Sequence, residues 1–341
     1  MIKKYSEKHV RNKFTIISFI CSILVIFIHT YNLDVYQIEG ISSGLAGGAN
    51  YLERYIATVT LIAVPIFFLI SGVLFFRTFE ISILLKKWKK RVFTIMIPYI
   101  IWCTIYYLYF AVMSRLPFIS SMMNDNSEVE LSIREWLNRI VVDEYYTLWF
   151  LKSLIILILI TPLIWLLLKN HSKKFPTGLL ALVIIVIAYR YGWIKIGSEI
   201  FYFIGAYIGL NLREQLFIGC KGLSILSTII IIVQLGAIVV ADNRVLVVLF
   251  AVSLWFFLDF WELESVSLPW WMSITFFIYV SHDMFLEAME KIFLKLFGIS
   301  PIMAILDYCI MPFLTLGVVI LVAKVLQLLC PTVWKLVTGS R

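Results

Sequence analysis

Charge is scarce in this 341-residue chain: Asp, Glu, Lys and Arg make up 15% of it, against about 25% in an ordinary soluble domain. Cysteine is sparse too, and Cys21, Cys103, Cys220, Cys309 and Cys330 share no redox or metal-ligand spacing. That excludes a secreted disulfide scaffold and leaves them as small hydrophobes. Histidine occurs at 9, 29, 171 and 282, without an HxxxH or similar cluster, so no metal site is expected. Glycine periodicity, heptads and polar bias are all missing, which removes collagen, coiled coil and disorder. What is abundant is apolar: 62% of residues come from AVILMFWYC, against about 45–50% in soluble domains. Mean hydropathy is +0.95. Two soluble domains of this length have no interior large enough for that surface, so a multi-pass membrane protein remains.

A crossing helix needs about 20 apolar residues. Ten candidate runs occupy 14–33, 55–76, 92–113, 148–168, 175–193, 197–212, 223–241, 245–261, 271–290 and 302–327. The net charge of +8 comes from lysines and arginines bunched beside these runs, so it has a topological meaning and implies no nucleic-acid partner. Lys3, Lys4, Lys8, Arg11 and Lys13 precede the first run, and Lys86, Lys87, Lys89, Lys90 and Arg91 follow the second. Two crossings separate these clusters, which places both, and Lys169, Lys173 and Lys174 after the fourth run, on the cytoplasmic face. The expected fold is an all-α polytopic bundle of about ten transmembrane helices. Its N- and C-termini are cytoplasmic, its first run is not a cleavable signal, and residues 1–341 form a single domain. The outer loop 114–147 carries three arginines against six carboxylates, and residues 133–142 suit a short surface helix.

Ionisable groups at membrane depth are costly and mark function. His29 lies toward the outer end of the first run, either as an interfacial histidine bonded to a loop or as a functional group. In the ninth run Tyr279, His282, Asp283, Glu287 and Glu290 recur at three- and four-residue steps, forming one helical stripe. That stripe should face the bundle interior or a cavity open to the outside; a structural network tied to neighbouring Arg or Lys is the other possibility. Pro65 and Pro98 interrupt helices, while Ser71 with Gly72 permits close approach of a neighbour. Arg54, Arg77, Lys152, Arg190 and Arg244 sit near run ends, where snorkelling is the default.

Together the motifs ILVIFIHTYN (23–32), VPIFFLISGVLFF (64–76), KKRVFTIMIPYIIW (89–102), YYTLWFLKSLIILILITPLI (145–164), YFIGAYIG (202–209) and SITFFIYVSHDMF (273–285) resemble the integral-membrane acyltransferase 3 family. The resemblance implies a ten-helix membrane protein that carries an acyl group, acetyl above all, from cytoplasmic acyl-coenzyme A to a hydroxyl of an extracytoplasmic polysaccharide or lipid-linked sugar. It further implies membrane lipid as surroundings and a bacterial plasma membrane as location. His29 matches the essential histidine of the family, and imidazole suits a general base at neutral pH. On this reading Ser71, Arg77 and Arg91 support the donor path, and Trp149, Tyr279, His282 and Asp283 serve the acceptor side. The sequence departs from the family at Ser18, where a basic residue usually stands eleven positions before the histidine, about 16 Å along the same helix face. A basic residue before the VPIFF block is missing as well, with Leu61 in that region. Lys13, Arg11, Arg77 or Arg91 would have to supply the charge; otherwise the chain is a catalytically degenerate member acting as a glycan-binding or transporter-like protein.

Overall fold

The computed structural model describes residues 2–115, 130–172, 175–237 and 244–340. Along the chain run β1 (Ile2–Lys4), α1 (Glu7–His29), α2 (Gly44–Thr60), α3 (Ala63–Phe76), α4 (Leu84–Arg91), α5 (Ile97–Met113) and α6 (Ile133–Val141). There follow α7 (Trp149–Leu159), α8 (Thr161–Leu168), α9 (Thr177–Arg190), α10 (Ile200–Asn211), β2 (Ile218–Cys220) and α11 (Lys221–Ala237). The chain closes with α12 (Arg244–Phe257), α13 (Thr275–Phe297), α14 (Pro301–Leu329) and α15 (Pro331–Thr338).

Every apolar run contains helix, but length separates them. Residues 7–29, 44–76, 81–113 and 301–329 are long and apolar enough to cross a membrane, and α7 with α8 makes a fifth span if their 66° bend is allowed. A 12-residue helix such as α10 rises only about 18 Å, short of the roughly 30 Å of hydrocarbon. α13 has 23 residues, yet it carries Asp283, Glu287, Glu290, Lys291 and Lys295.

Proline shapes the two long early spans. Pro65 lies in the first turn of α3, just after the helix breaks at Leu61 and Ile62. Pro98 has no N–H to return to the Thr94 carbonyl, and the chain answers with a π-helical turn at Val92–Met96, closed by the Ile97 N–H on the Val92 carbonyl. Small residues bring α3 against α10. A Cβ on Gly72 would stand 2.8 Å from the Ala206 nitrogen, and one on Gly209 2.8 Å from the Arg77 nitrogen. The expected close approach at Ser71–Gly72 is therefore made by α10.

One end of the bundle collects both termini. β1 pairs antiparallel with β2, Ile2 opposite Cys220 and Lys4 opposite Ile218. This small ribbon is a minor addition to an otherwise helical fold: three-residue segments are too short to nucleate helix, and each satisfies its backbone groups on the other. Lys3 reaches Glu262 at 2.9 Å, and Arg77 reaches Glu7 at 2.8 Å. The Ser6 hydroxyl caps α1 by accepting from the His9 N–H at 3.3 Å. At the same end α15 packs beside α5, where the Trp102 indole donates to the Val337 carbonyl at 2.9 Å. The surface helix expected at 133–142 is α6, capped by Ser132 and laced by Arg139 between Glu135 (2.6 Å) and Asp143 (2.8 Å). Residues 116–129 of that loop lie outside the described residues.

Candidate active site

Two groups of residues share α13, one lining a cavity through Tyr279 and one gathered at His29 through His282 and Asp283. The first is a cavity of about 340 Å³ whose walls include Ser18 of α1, Ser71 of α3, Arg91, Phe150 of α7, Tyr202 of α10 and Tyr279 of α13. Apart from Thr275, its remaining walls are aliphatic and aromatic. Arg91 ends α4 immediately before the π-helical turn, which also sets Ile95 in the cavity wall. Its guanidinium lies 5.4 Å from the Phe75 ring centre, and no carboxylate among the described residues pairs with it. The Tyr202 hydroxyl is buried without a hydrogen-bond partner among the described residues.

The other candidate cations are committed elsewhere. Lys13 is enclosed in an ion pair with Asp259, whose same oxygen stands 3.1 Å from His9 Nε2. Arg77 is held by Glu7 and lies outside the cavity lining, and Arg11 is exposed. Of the four basic residues considered for Ser18's missing charge, Arg91 is the one that shares a cavity with Ser18.

The second group is a polar cluster at the end of α1. His29 is the last residue of that helix, and Thr30 closes it by bonding back to the Ile26 carbonyl through its backbone N–H (3.1 Å) and its hydroxyl (2.9 Å). His29 Nδ1 faces Asp283 Oδ1 at 3.8 Å, with 15% and 32% of the two side chains exposed. The His29 and His282 rings meet edge to face, centres 5.0 Å apart. His282 itself is fully buried, and its Nδ1 lies 2.7 Å from the Tyr279 carbonyl and 3.2 Å from that of Ile278. Carbonyls only accept, so Nδ1 carries the hydrogen and a neutral ring keeps its lone pair on Nε2.

Hydrogen bonds from outside fix the register of α13. Tyr279 donates to the Thr147 carbonyl, and Tyr106 of α5 donates to the Val280 carbonyl at 3.2 Å. The stripe expected on this helix is real but divided. Tyr279, assigned to the acceptor side, lines the cavity with Ser71 and Arg91, while His282 and Asp283 meet His29. Glu287 pairs with Lys291 of its own helix at 2.6 Å. Trp149 is absent from the cavity lining and is half-buried against Phe68 at 6.0 Å between ring centres.

Sequence reasoning passed over the groups that hold the loop after His29. The Asn32 backbone N–H donates to the Glu53 carboxylate (3.3 Å), and its side-chain amide donates to Asp307 (3.0 Å), which also accepts from the Tyr36 hydroxyl (3.2 Å). Glu53 and Asp307 are both buried. Asp307, a lone carboxylate inside the tenth apolar run, was the visible clue.

Chemically, the His29 cluster offers an imidazole with a carboxylate behind it, and the cavity offers apolar walls with a cation among them. No curated protein and no solved structure matches this chain significantly. The family model described as an acyltransferase domain matches residues 14–324 and so takes in both the cavity lining and the His29 cluster. The chain therefore belongs to the acyltransferase 3 family of multi-pass membrane proteins.

Proposed function

We propose that the protein transfers an acyl group, acetyl above all, from cytoplasmic acyl-coenzyme A to a hydroxyl of an extracytoplasmic polysaccharide or lipid-linked sugar in a bacterial plasma membrane. The observation that carries this reading is the juxtaposition of His29 with Asp283 beside a cavity bearing Arg91. With Nδ1 directed at Asp283, Nε2 of His29 is the nitrogen assigned to the acceptor hydroxyl. It removes the proton as the oxygen attacks the thioester carbonyl, and Asp283 stabilises the imidazolium that forms. The carbonyl carbon gains the acceptor oxygen, the C–S bond breaks, and the thiolate leaves toward the cavity. Arg91 supplies the positive charge that Ser18 does not, while the apolar walls favour a pantetheine arm over water.

The rival reading, a degenerate member that binds or carries glycan without chemistry, draws on Ser18 and on the missing basic residue before the VPIFF block. Arg91 in the same cavity weakens it. The two part in one experiment: purified protein in vesicles receives radiolabelled acetyl-coenzyme A and a cell-wall glycan extract. Label transferred to glycan by the native protein and lost in His29→Ala supports the enzyme. Equal labelling by both proteins removes His29 from the mechanism, and none by either favours the carrier.

A further inference from the structure

Resting on the acyltransferase reading, the geometry carries one step further, because the transfer leaves a proton in the wrong place. It is taken from an acceptor on the outer side, whereas the base that needs it, the thiolate, departs toward the cavity lined by Tyr279. We propose that His282 is the second proton carrier of the reaction, receiving the acceptor's proton from His29 and passing it to the departing sulfur.

Three observations meet on this residue. Its tautomer is set by two backbone carbonyls, so the neutral ring presents a lone pair at Nε2. That Nε2 is buried and has no hydrogen-bond partner among the described residues, an unusual state for a ring nitrogen in a packed core. Lastly, His282 packs near both partners of the transfer: its ring centre is 5.0 Å from that of His29 and 6.4 Å from that of the cavity-lining Tyr279. The bonds from Tyr106 and Tyr279 hold α13 in the register that creates this order. A proton needs no open channel wide enough for substrate, so a fully buried imidazole is suited to carry one.

The sequence of bonds is balanced. The acceptor O–H breaks and N–H forms on His29; the new C–O bond replaces C–S; the proton passes from His29 to His282 Nε2 and then to sulfur, giving a free thiol and two neutral imidazoles. No other reactant is required.

The test uses full-length protein in vesicles, acetyl-coenzyme A and the glycan extract. Glutamine at 282 keeps a hydrogen-bonding side chain but cannot relay a proton, so His282→Gln is expected to lower kcat by about 100-fold or more, the usual range for a lost acid–base group. Its KM for acetyl-coenzyme A should stay within about twofold of native, because the donor cavity is untouched. His282→Ala leaves space for a small base, and added imidazole should restore part of its rate in a saturable way while leaving His282→Gln unchanged. A kcat for His282→Gln within threefold of native overturns the relay, and so does a folded His282→Ala that ignores imidazole. Should the alanine variant not fold, the kcat and KM of His282→Gln decide alone. Native protein that transfers no acetyl group would instead sink the acyltransferase reading beneath it, an outcome distinct from either.

Discussion

Replacing Asp283 with asparagine removes the charge that faces His29 while keeping the shape of the side chain. At the observed 3.8 Å a full carboxylate and an imidazolium attract by about 4 kcal/mol if the local dielectric is near 20, and by about 1 kcal/mol in bulk water. Asp283 is 32% exposed, so solvent screening pulls the value toward the lower bound, to roughly 1–2 kcal/mol. That stabilisation exists only once His29 has taken a proton, so it belongs to the transition state and its loss appears in kcat. The expected effect is a fall of about 5- to 30-fold in kcat, from 1.36 kcal/mol per factor of ten. The KM for acetyl-coenzyme A should not move, since Asp283 is absent from the cavity wall. Initial rates of acetyl transfer in vesicles, with donor varied at saturating glycan, separate the two constants. Asp283→Glu, which retains the charge on a longer arm, should recover part of the loss. An asparagine variant with native kcat, or one in which donor KM alone rises, would refute the assignment of Asp283 as the partner of His29.

Other perturbations probe the inner half. Arg91→Gln should raise the KM for acetyl-coenzyme A by about tenfold with little change in kcat, as expected for a charge-assisted contact worth roughly 1.5 kcal/mol, read from the same initial-rate curves. Ser18→Arg adds a second cation to the cavity and should lower that KM; no improvement would mean that Arg91 already fills the role. Gly205→Ala would press a methyl group onto the Leu69 carbonyl, 3.0 Å from the Val73 nitrogen, and overpacking of this kind costs about 1–3 kcal/mol. A lowered melting temperature in detergent, with a raised donor KM as Ser71 and Tyr202 are pushed apart, is the outcome to look for. Lys13→Met leaves Asp259 enclosed with no lysine beside it, and breaking such a buried pair destabilises by roughly 3–5 kcal/mol. Its measure is the same melting curve, and an unchanged midpoint would show that the pair is dispensable.

The positions of the helices were legible because a long apolar run has few other ways to satisfy its backbone, and each expected run does contain helix. Their lengths were not. The 66° bend between α7 and α8 and the 12 residues of α10 depend on neighbours that no single run contains. The β1–β2 ribbon was invisible for a plainer reason, since three residues carry no period. His29 and the α13 stripe stood out as ionisable groups against an apolar background, and the structure brings them together. The choice of Arg91 among the basic residues was beyond sequence, because it turns on Glu7 capturing Arg77, Asp259 capturing Lys13, and a π-helical turn that Pro98 imposes.

The stripe on α13 also proved to be less uniform than its periodicity suggested, and this bears on mechanism. Side chains three and four residues apart share a face but not a height, and one turn of helix rises about 5.4 Å. From Tyr279 to Asp283 the stripe therefore passes from the cavity wall to the partner of His29 in about one turn. A helix bearing a cavity-wall phenol, a buried imidazole and a half-open carboxylate in that order links the cavity to His29 through its own side chains. Substitutions along it should consequently divide by height: changes at Tyr279 act on the donor, changes at Asp283 on the base, and changes at His282 on the passage between them.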